Sequence, residues 1–88
     1  MFYVYVLQSE KDKKFYTGYT SDLRRRFSEH QSGKTFSTKG RRTFKIVYYE
    51  AGIDEEDAKR REKYLKSTWG KRYIKGRIKV YLTGIVSL

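Results

Sequence analysis

Two stretches rich in aromatic and β-branched residues open the chain: Phe2 to Gln8 (Phe-Tyr-Val-Tyr-Val-Leu-Gln) and Phe15 to Thr20 (Phe-Tyr-Thr-Gly-Tyr-Thr). The polar Ser9–Lys14 stretch separates them. Such residues fit the pleated, half-buried surface of a sheet, so this pattern predicts a β-hairpin with a loop longer than two residues. Side chains alternate along a strand, which puts Tyr3, Tyr5 and Leu7 on one face of the first and Tyr16, Gly18 and Thr20 on one face of the second. Alternation alone leaves open whether Tyr5 and Tyr16 share a sheet face, because that depends on register.

Further along, Ser21 and Asp22 are good N-cap residues and Gly33 is a natural stop, so a helix is expected between them, with Leu23 and Phe27 as its buried stripe. Arg26 and His30 are four residues apart at the margin of that stripe. Gln31 to Arg42 is poor in apolar residues and reads as an exposed loop able to lie along a phosphate backbone. Thr43 to Glu50 alternates Phe44, Ile46 and Tyr48 against Lys45, Val47 and Tyr49, which predicts a third strand. After an Ala51-Gly52 turn, Asp54 caps a second helix with Asp57 three residues on, and the acidic first turn suits the helix dipole. Ala58, Glu62, Leu65 and Trp69 share helical spacing, which places Glu62 inside an otherwise apolar stripe. Gly70 is expected to separate this helix from a short basic one, Lys71 to Lys75, with Tyr73 and Ile74 facing inward. Residues 1–82 form one domain on this reading, and 83–88 a C-terminal tail; the apolar Ile78–Leu88 stretch is expected to dock on the core.

The chain has 88 residues with 21 Lys and Arg against 10 Asp and Glu, a formal net charge of +11. A chain of this length supports one modest core, and its charge makes nucleic acid the first partner to consider. There is no cysteine, which excludes disulfides, thiolate metal sites and thiol nucleophiles, and favours a cytoplasmic location. The apolar run Phe2–Leu7 lacks the features of a signal peptide, and no stretch approaches the roughly 20 apolar residues of a membrane span.

The triplets Tyr3-Val4-Tyr5 and Tyr16-Thr17-Gly18, followed by Arg26, His30 and, on a later helix, Glu62, resemble the ordered signature of the GIY-YIG nuclease family. The resemblance runs from about Phe2 to Arg77; in size it is nearest to the family's small standalone branch, and it is also similar to the nuclease domain of the excinuclease C protein. It implies an α/β (α+β) domain, a small three-stranded antiparallel sheet flanked by helices, acting as a metal-dependent DNA endonuclease in repair or recombination. Specificity would come from DNA shape or from a protein partner. The implied catalytic residues are Tyr5, Tyr16, Arg26, His30 and Glu62. Glu62 would hold Mg2+, with Mn2+ as a substitute, Arg26 would meet a phosphate oxygen, and Tyr5 would position or deprotonate the attacking water beside Tyr16. His30 would relay a proton or bind phosphate. Gly18 would let a phosphate approach the sheet, and Lys39, Arg41, Arg42 and Lys66 would contact DNA. The first triplet departs from Gly-Ile-Tyr, Thr17 replaces Ile, and the chain has no asparagine, which several larger relatives use near the site.

Plainer readings stand beside these. Tyr5 and Tyr16 are also ordinary cross-strand aromatics, and Arg26 belongs to a run of three arginines. Glu62 has Lys66 and Lys59 within helical pairing distance, and His30 suits the dipole at a helix C-terminus. Trp69 and Tyr73 read as core rather than stacking platforms, and Lys39 to Arg42 as either a phosphate-contacting loop or a solvated turn. A non-catalytic nucleic-acid-binding module on the same fold explains the charge but not Glu62. A basic module docking on acidic proteins or membrane surfaces explains neither the paired tyrosines nor Arg26.

Overall fold

The hairpin forms as its sequence requires in the computed structural model, which describes residues 1–35 and 38–84. Strands β1 (Phe2–Ser9) and β2 (Phe15–Thr20) pair antiparallel with Tyr5 opposite Gly18 and Leu7 opposite Tyr16. Directly opposed residues share a face, so Tyr5, Tyr16 and Gly18 all lie on one side of the sheet. The connecting loop closes through Ser9 N–H to the Lys14 carbonyl (3.0 Å) and Lys13 N–H to the Ser9 carbonyl (2.9 Å).

Strand β3 (Phe44–Gly52) pairs antiparallel with the other edge of β1, giving the order β2-β1-β3. Its alternation is not the simple one expected from the sequence. Val6 faces Tyr48 while Leu7 faces Ile46, so Val47 is an extra residue at a bulge. One inserted residue reverses the faces beyond it. Phe44 and Ile46 therefore join Tyr5 and Leu7, whereas Tyr48 packs with Val4 and Val6 on the opposite side.

Helix α1 (Leu23–Ser32) lies on the Tyr5 face, with Leu23 and Phe27 against Tyr5, Leu7 and Phe44. Asp22 caps it by accepting from Arg25 N–H at 3.1 Å, and Gly33 ends it at φ 80°, a conformation that favours glycine. Helix α2 (Glu55–Lys66) covers the other face, capped by Asp54 accepting from Asp57 N–H at 3.1 Å. Ala58 and Leu65 from α2, with Ile74 from α3 (Thr68–Arg77), close an apolar core over Val4 and Val6.

Three expectations are corrected by the packing. Helix α2 stops at Lys66, not at Gly70, because Ser67 ends it and its side chain caps α3 through Gly70 N–H at 3.2 Å. Trp69 thereby leaves the apolar stripe and is 68% exposed, while Gly70 lies inside α3 and is buried. The stretch after α1, expected to be exposed, is tied down in its described part: Thr38 is fully buried, and a short 3-10 turn, Lys39–Arg41, is held by Ser9 Oγ donating to the Arg41 carbonyl at 2.7 Å. Finally, the expected docking of the tail holds for Ile78, which packs on the apolar core, and is slight beyond it. In α4 (Lys79–Thr83), Val80, Tyr81 and Leu82 remain exposed, and the Tyr81 hydroxyl donates to Gln8 Oε1 at 2.6 Å. Residues 36–37 of that loop and 85–88 of the tail lie outside the described residues. No helix among the described residues is long and apolar enough to cross a membrane.

Candidate active site

A tyrosine in the middle strand of a three-stranded sheet has both neighbours filled, so its ring must lie over one of them. Tyr5 is 2% exposed, and its ring lies across Gly18. A β-carbon on Gly18 would sit 2.5 Å from Tyr5 Oη and 2.7 Å from Cζ, so only glycine leaves room for the phenol. This is a different reason for glycine from the one expected: the space over Gly18 is filled by Tyr5 rather than open to a phosphate.

The Tyr5 hydroxyl meets His30 Nε2 at 2.9 Å, and His30 Nδ1 meets Thr38 Oγ1 at 2.7 Å. The Thr38 hydroxyl has the Thr35 carbonyl at 3.4 Å to receive its proton, so it accepts from Nδ1–H. In the tautomer that this arrangement accommodates, Nε2 carries the lone pair and Tyr5 O–H donates to it. His30 is 0% exposed and edge-on to Tyr5, Tyr16 and Phe44. Burial, then the nearby Arg26 charge, push its pKa below the ordinary histidine range, against a smaller opposing pull from Glu29. It is therefore neutral at pH 7, with both nitrogens engaged inside the protein. Neither a dipole partner's charge nor a direct phosphate contact fits that state.

Burial raises the Tyr5 pKa, and Arg26, lying against the phenol, pulls it back only in part; Tyr16 and Glu62 add to the rise. The phenol is thus neutral, with a guanidinium, a second phenol and a carboxylate within its electrostatic reach. Arg26 comes from α1, where it donates to Glu29 Oε1 at 3.0 Å. Glu62 comes from α2 on the opposite face, and its charge reaches the Tyr5 phenol, whose ring lies over Gly18 of β2.

Glu62 combines the two readings its sequence position allowed. Its side chain is 19% exposed, between buried Ala58 and Leu65, and it pairs with Lys66 Nζ at 3.3 Å. Lys59 turns instead to Glu56 at 3.4 Å. Among the described residues no group of three or more His, Cys, Asp or Glu side chains is placed to hold a metal. That donor set does not suit zinc. It does suit a hard ion such as Mg2+, which keeps several waters and takes one carboxylate with substrate oxygens.

Of the other residues expected to contact DNA, Arg41 pairs with Asp12 at 3.3 Å and Arg42 donates to the Ser32 carbonyl at 3.1 Å, at the end of α1. Both have structural work of their own. Lys39 lies in the 3-10 turn between them and Thr38, and Lys66 is at Glu62. Thr38 itself was not legible beforehand. Nothing in a run of Ser, Thr, Gly and Lys singles it out except the need of a buried histidine for a second hydrogen-bond partner.

A small three-stranded sheet between helices holds Tyr5, Tyr16, Arg26 and His30 on one face, with Glu62 of the other face within electrostatic reach of the Tyr5 phenol. Residues 1–79 match the GIY-YIG catalytic domain, and the chain belongs to that family. Within it, the chain is 40% identical over 67 residues to a UPF0213 protein of Clostridium perfringens, covering 75% of this chain and 71% of that one. It is 45% identical over 65 residues to a UPF0213 protein of Halalkalibacterium halodurans, covering 73% and 68%. The solution NMR structure of a UPF0213 protein from Bacillus halodurans superposes with a TM-score of 0.51 at 39% identity, covering 96% of this chain and 87% of that chain. The family is one of endonucleases that use divalent metals.

Proposed function

We propose that the protein is a metal-dependent endonuclease that hydrolyses DNA phosphodiester bonds by in-line attack of water, in the cytoplasm, in repair or recombination. A DNA structure such as a branch, flap or nick, or a partner protein, selects the site. The observation that carries this reading is the buried Tyr5 hydroxyl, 2.9 Å from a histidine nitrogen and beside Arg26. A purely structural cross-strand tyrosine does not require that arrangement.

Glu62 would hold the ion, Mg2+ or in its place Mn2+, which when bound supplies positive charge for the phosphorus centre and the departing oxygen. Arg26 takes a non-bridging phosphate oxygen through its planar, permanently charged fork. Tyr5 aligns the attacking water, with Tyr16 beside it. As the water loses a proton to Tyr5 Oη, the phenol passes its own proton to His30 Nε2, so no free phenolate is needed and the charge ends on the imidazole. Thr38 holds that imidazole in the accepting tautomer. Lys66, Lys39, Arg41 and Arg42 contribute positive potential toward the DNA backbone.

The test is to incubate the protein with supercoiled plasmid and branched DNAs, with Mg2+ or with chelator, alongside Glu62→Ala. Cleavage that needs both the ion and Glu62 is expected. Salt-sensitive binding without cleavage by either protein would reduce the protein to a nucleic-acid-binding module.

A further inference from the structure

Trp69 stands outside the core at the corner where α2 meets α3. An indole carries about 150–250 Å² of mostly apolar surface, and at 68% exposure most of it faces water. The corner that presents it is rigid. Ser67 N–H bonds the Tyr64 carbonyl at 3.0 Å, Ser67 Oγ donates to the same carbonyl at 2.6 Å, and Lys71 N–H bonds the Ser67 carbonyl at 2.9 Å. A β-carbon on Gly70 would lie 2.0 Å from the Tyr64 carbonyl oxygen and 2.4 Å from Leu65 Cα. Backbone thus packs directly on backbone, and the residue before Gly70 is held facing outward.

The surroundings are basic. The Arg72 guanidinium stacks 5.2 Å from the indole, and Thr68–Arg77 contains no acidic residue. Lys66 and Lys71, which flank Trp69 in the chain, line a cavity of about 620 Å³ together with Lys13, Lys14 and Lys75, over an apolar floor that includes Phe15. Among the described residues no carboxylate lines it. Tyr16 is also part of its wall, so the cavity adjoins the candidate active site.

We infer that this corner and cavity bind an unpaired segment of nucleic acid strand, with its phosphates on Lys66 and Lys71 and one base stacked on Trp69. This rests on the nucleic-acid half of the proposed function, and it supplies what that reading lacked, a physical reason to prefer branched over continuous duplex. Lysines around a cavity whose lining holds no carboxylate answer phosphates, Lys66 by exchanging its pair with Glu62 for a phosphate oxygen, and an exposed indole answers a base only where the base is unstacked. A paired base has both faces covered and no use for Trp69. An acidic protein surface would use the lysines but would leave the indole and the apolar floor without a matching group.

Trp69 is the only tryptophan in the chain, so fluorescence excited at the red edge, where the nine tyrosines do not absorb, reports on it alone. With chelator present to prevent cleavage, the full chain is titrated with a blunt duplex, with the same duplex carrying a single-stranded flap, and with that flap made abasic. The intact flap is expected to quench Trp69. Trp69→Ala should weaken binding of the intact flap by about 5-fold to 150-fold, the span of one base–aromatic stack, and Trp69→Phe by less. Blunt-duplex affinity should stay within about 2-fold, and the abasic flap should bind the parent chain as weakly as the intact flap binds Trp69→Ala. The circular dichroism spectrum of each variant checks that the exposed position is not needed for folding.

Equal losses on all three DNAs, tight flap binding without quenching, or an unchanged flap affinity in Trp69→Ala would each overturn the inference. So would a concentration-dependent mass that Trp69→Ala abolishes, which would make the corner a contact between copies. Quenching by the flap with no cleavage once Mg2+ is restored would leave this inference standing and remove the endonuclease.

Discussion

The two faces of the sheet are buried by different chemistry. Toward α2 and α3 the sealed cluster is Val4, Val6, Ala58, Leu65 and Ile74, with Gln8 the one buried polar side chain of that strand face, at its rim. Toward α1, Tyr5, Leu7 and Phe44 are sealed in together with His30 and Thr38, so a chain of neutral hydrogen bonds runs through the packing. An apolar face gains its stability from area removed from water and tolerates small shifts at modest cost. A polar face is satisfied only while each donor meets its acceptor, and in return it fixes a tautomer and a hydroxyl direction. In a domain of this size the first arrangement supplies the stability within which the second is held.

The comparison fails if the apolar face is not the main source of stability. Leu65→Ala, at a residue 1% exposed, should cost about 2–5 kcal/mol in urea unfolding, a large part of what so small a domain has available. Whatever fraction remains folded should keep its cleavage rate per folded molecule. A rate that drops far more than the folded fraction would mean that the two faces are not separable.

On the polar face the expected order is reversed. Tyr5→Phe leaves His30 Nε2 buried without a donor, at a cost of about 1–3 kcal/mol, while cleavage should fall by about 100-fold or more through loss of the proton path. Gly18→Ala sharpens this, because it keeps the phenol and moves it: the added carbon would lie 2.5 Å from Tyr5 Oη. It should impair cleavage on a scale comparable to Tyr5→Phe. Full activity in Gly18→Ala would show that the position of the phenol is not what matters.

These contrasts also explain which features were readable from sequence. The hairpin and the capped helices were legible because their signals are local: period-two alternation, Asp22 and Asp54 as caps, Gly33 as a stop. Glu62 stood out because a carboxylate interrupted an apolar stripe. Trp69 was misplaced because helical spacing carries straight through Ser67, and only the three-dimensional corner shows that the helix ends there. The bulge at Val47 leaves no trace in a run of strand-forming residues, so simple alternation puts Tyr48 with Phe44 and Ile46, and Tyr49 opposite them, each on the wrong face. Thr38 and the contact of Tyr5 with Gly18 depend on register and on partners distant in sequence. The polar face was thus nameable residue by residue but not as a network.

His30 gives a smaller effect with a definite sign. The unfolded chain takes up a proton near the ordinary histidine pKa of about 6.5, whereas the folded chain resists it because the ring is buried and Arg26 is near. Across that window the unfolded state binds more protons, so stability falls as pH drops below about 6.5, with a slope of at most about 1.4 kcal/mol per pH unit. Glu10, Asp12 and Glu29 have lowered carboxylate pKa values, so their losses come at lower pH and do not overlap this window. Thermal melts between pH 7 and pH 5 should show the slope in the parent chain and not in His30→Gln. A slope that survives the substitution would assign it to another group.

Glu62 should show the smallest change in stability. Its pairing with Lys66 is a partly exposed i,i+4 contact, so Glu62→Gln should shift stability by only a few tenths of a kcal/mol. If its place among apolar neighbours had a purely structural reason, removing the charge would be neutral or slightly stabilising and would leave cleavage alone. If the carboxylate holds the ion, the same substitution should abolish cleavage at an unchanged melting temperature. Melting temperature and cleavage measured on one preparation decide between these.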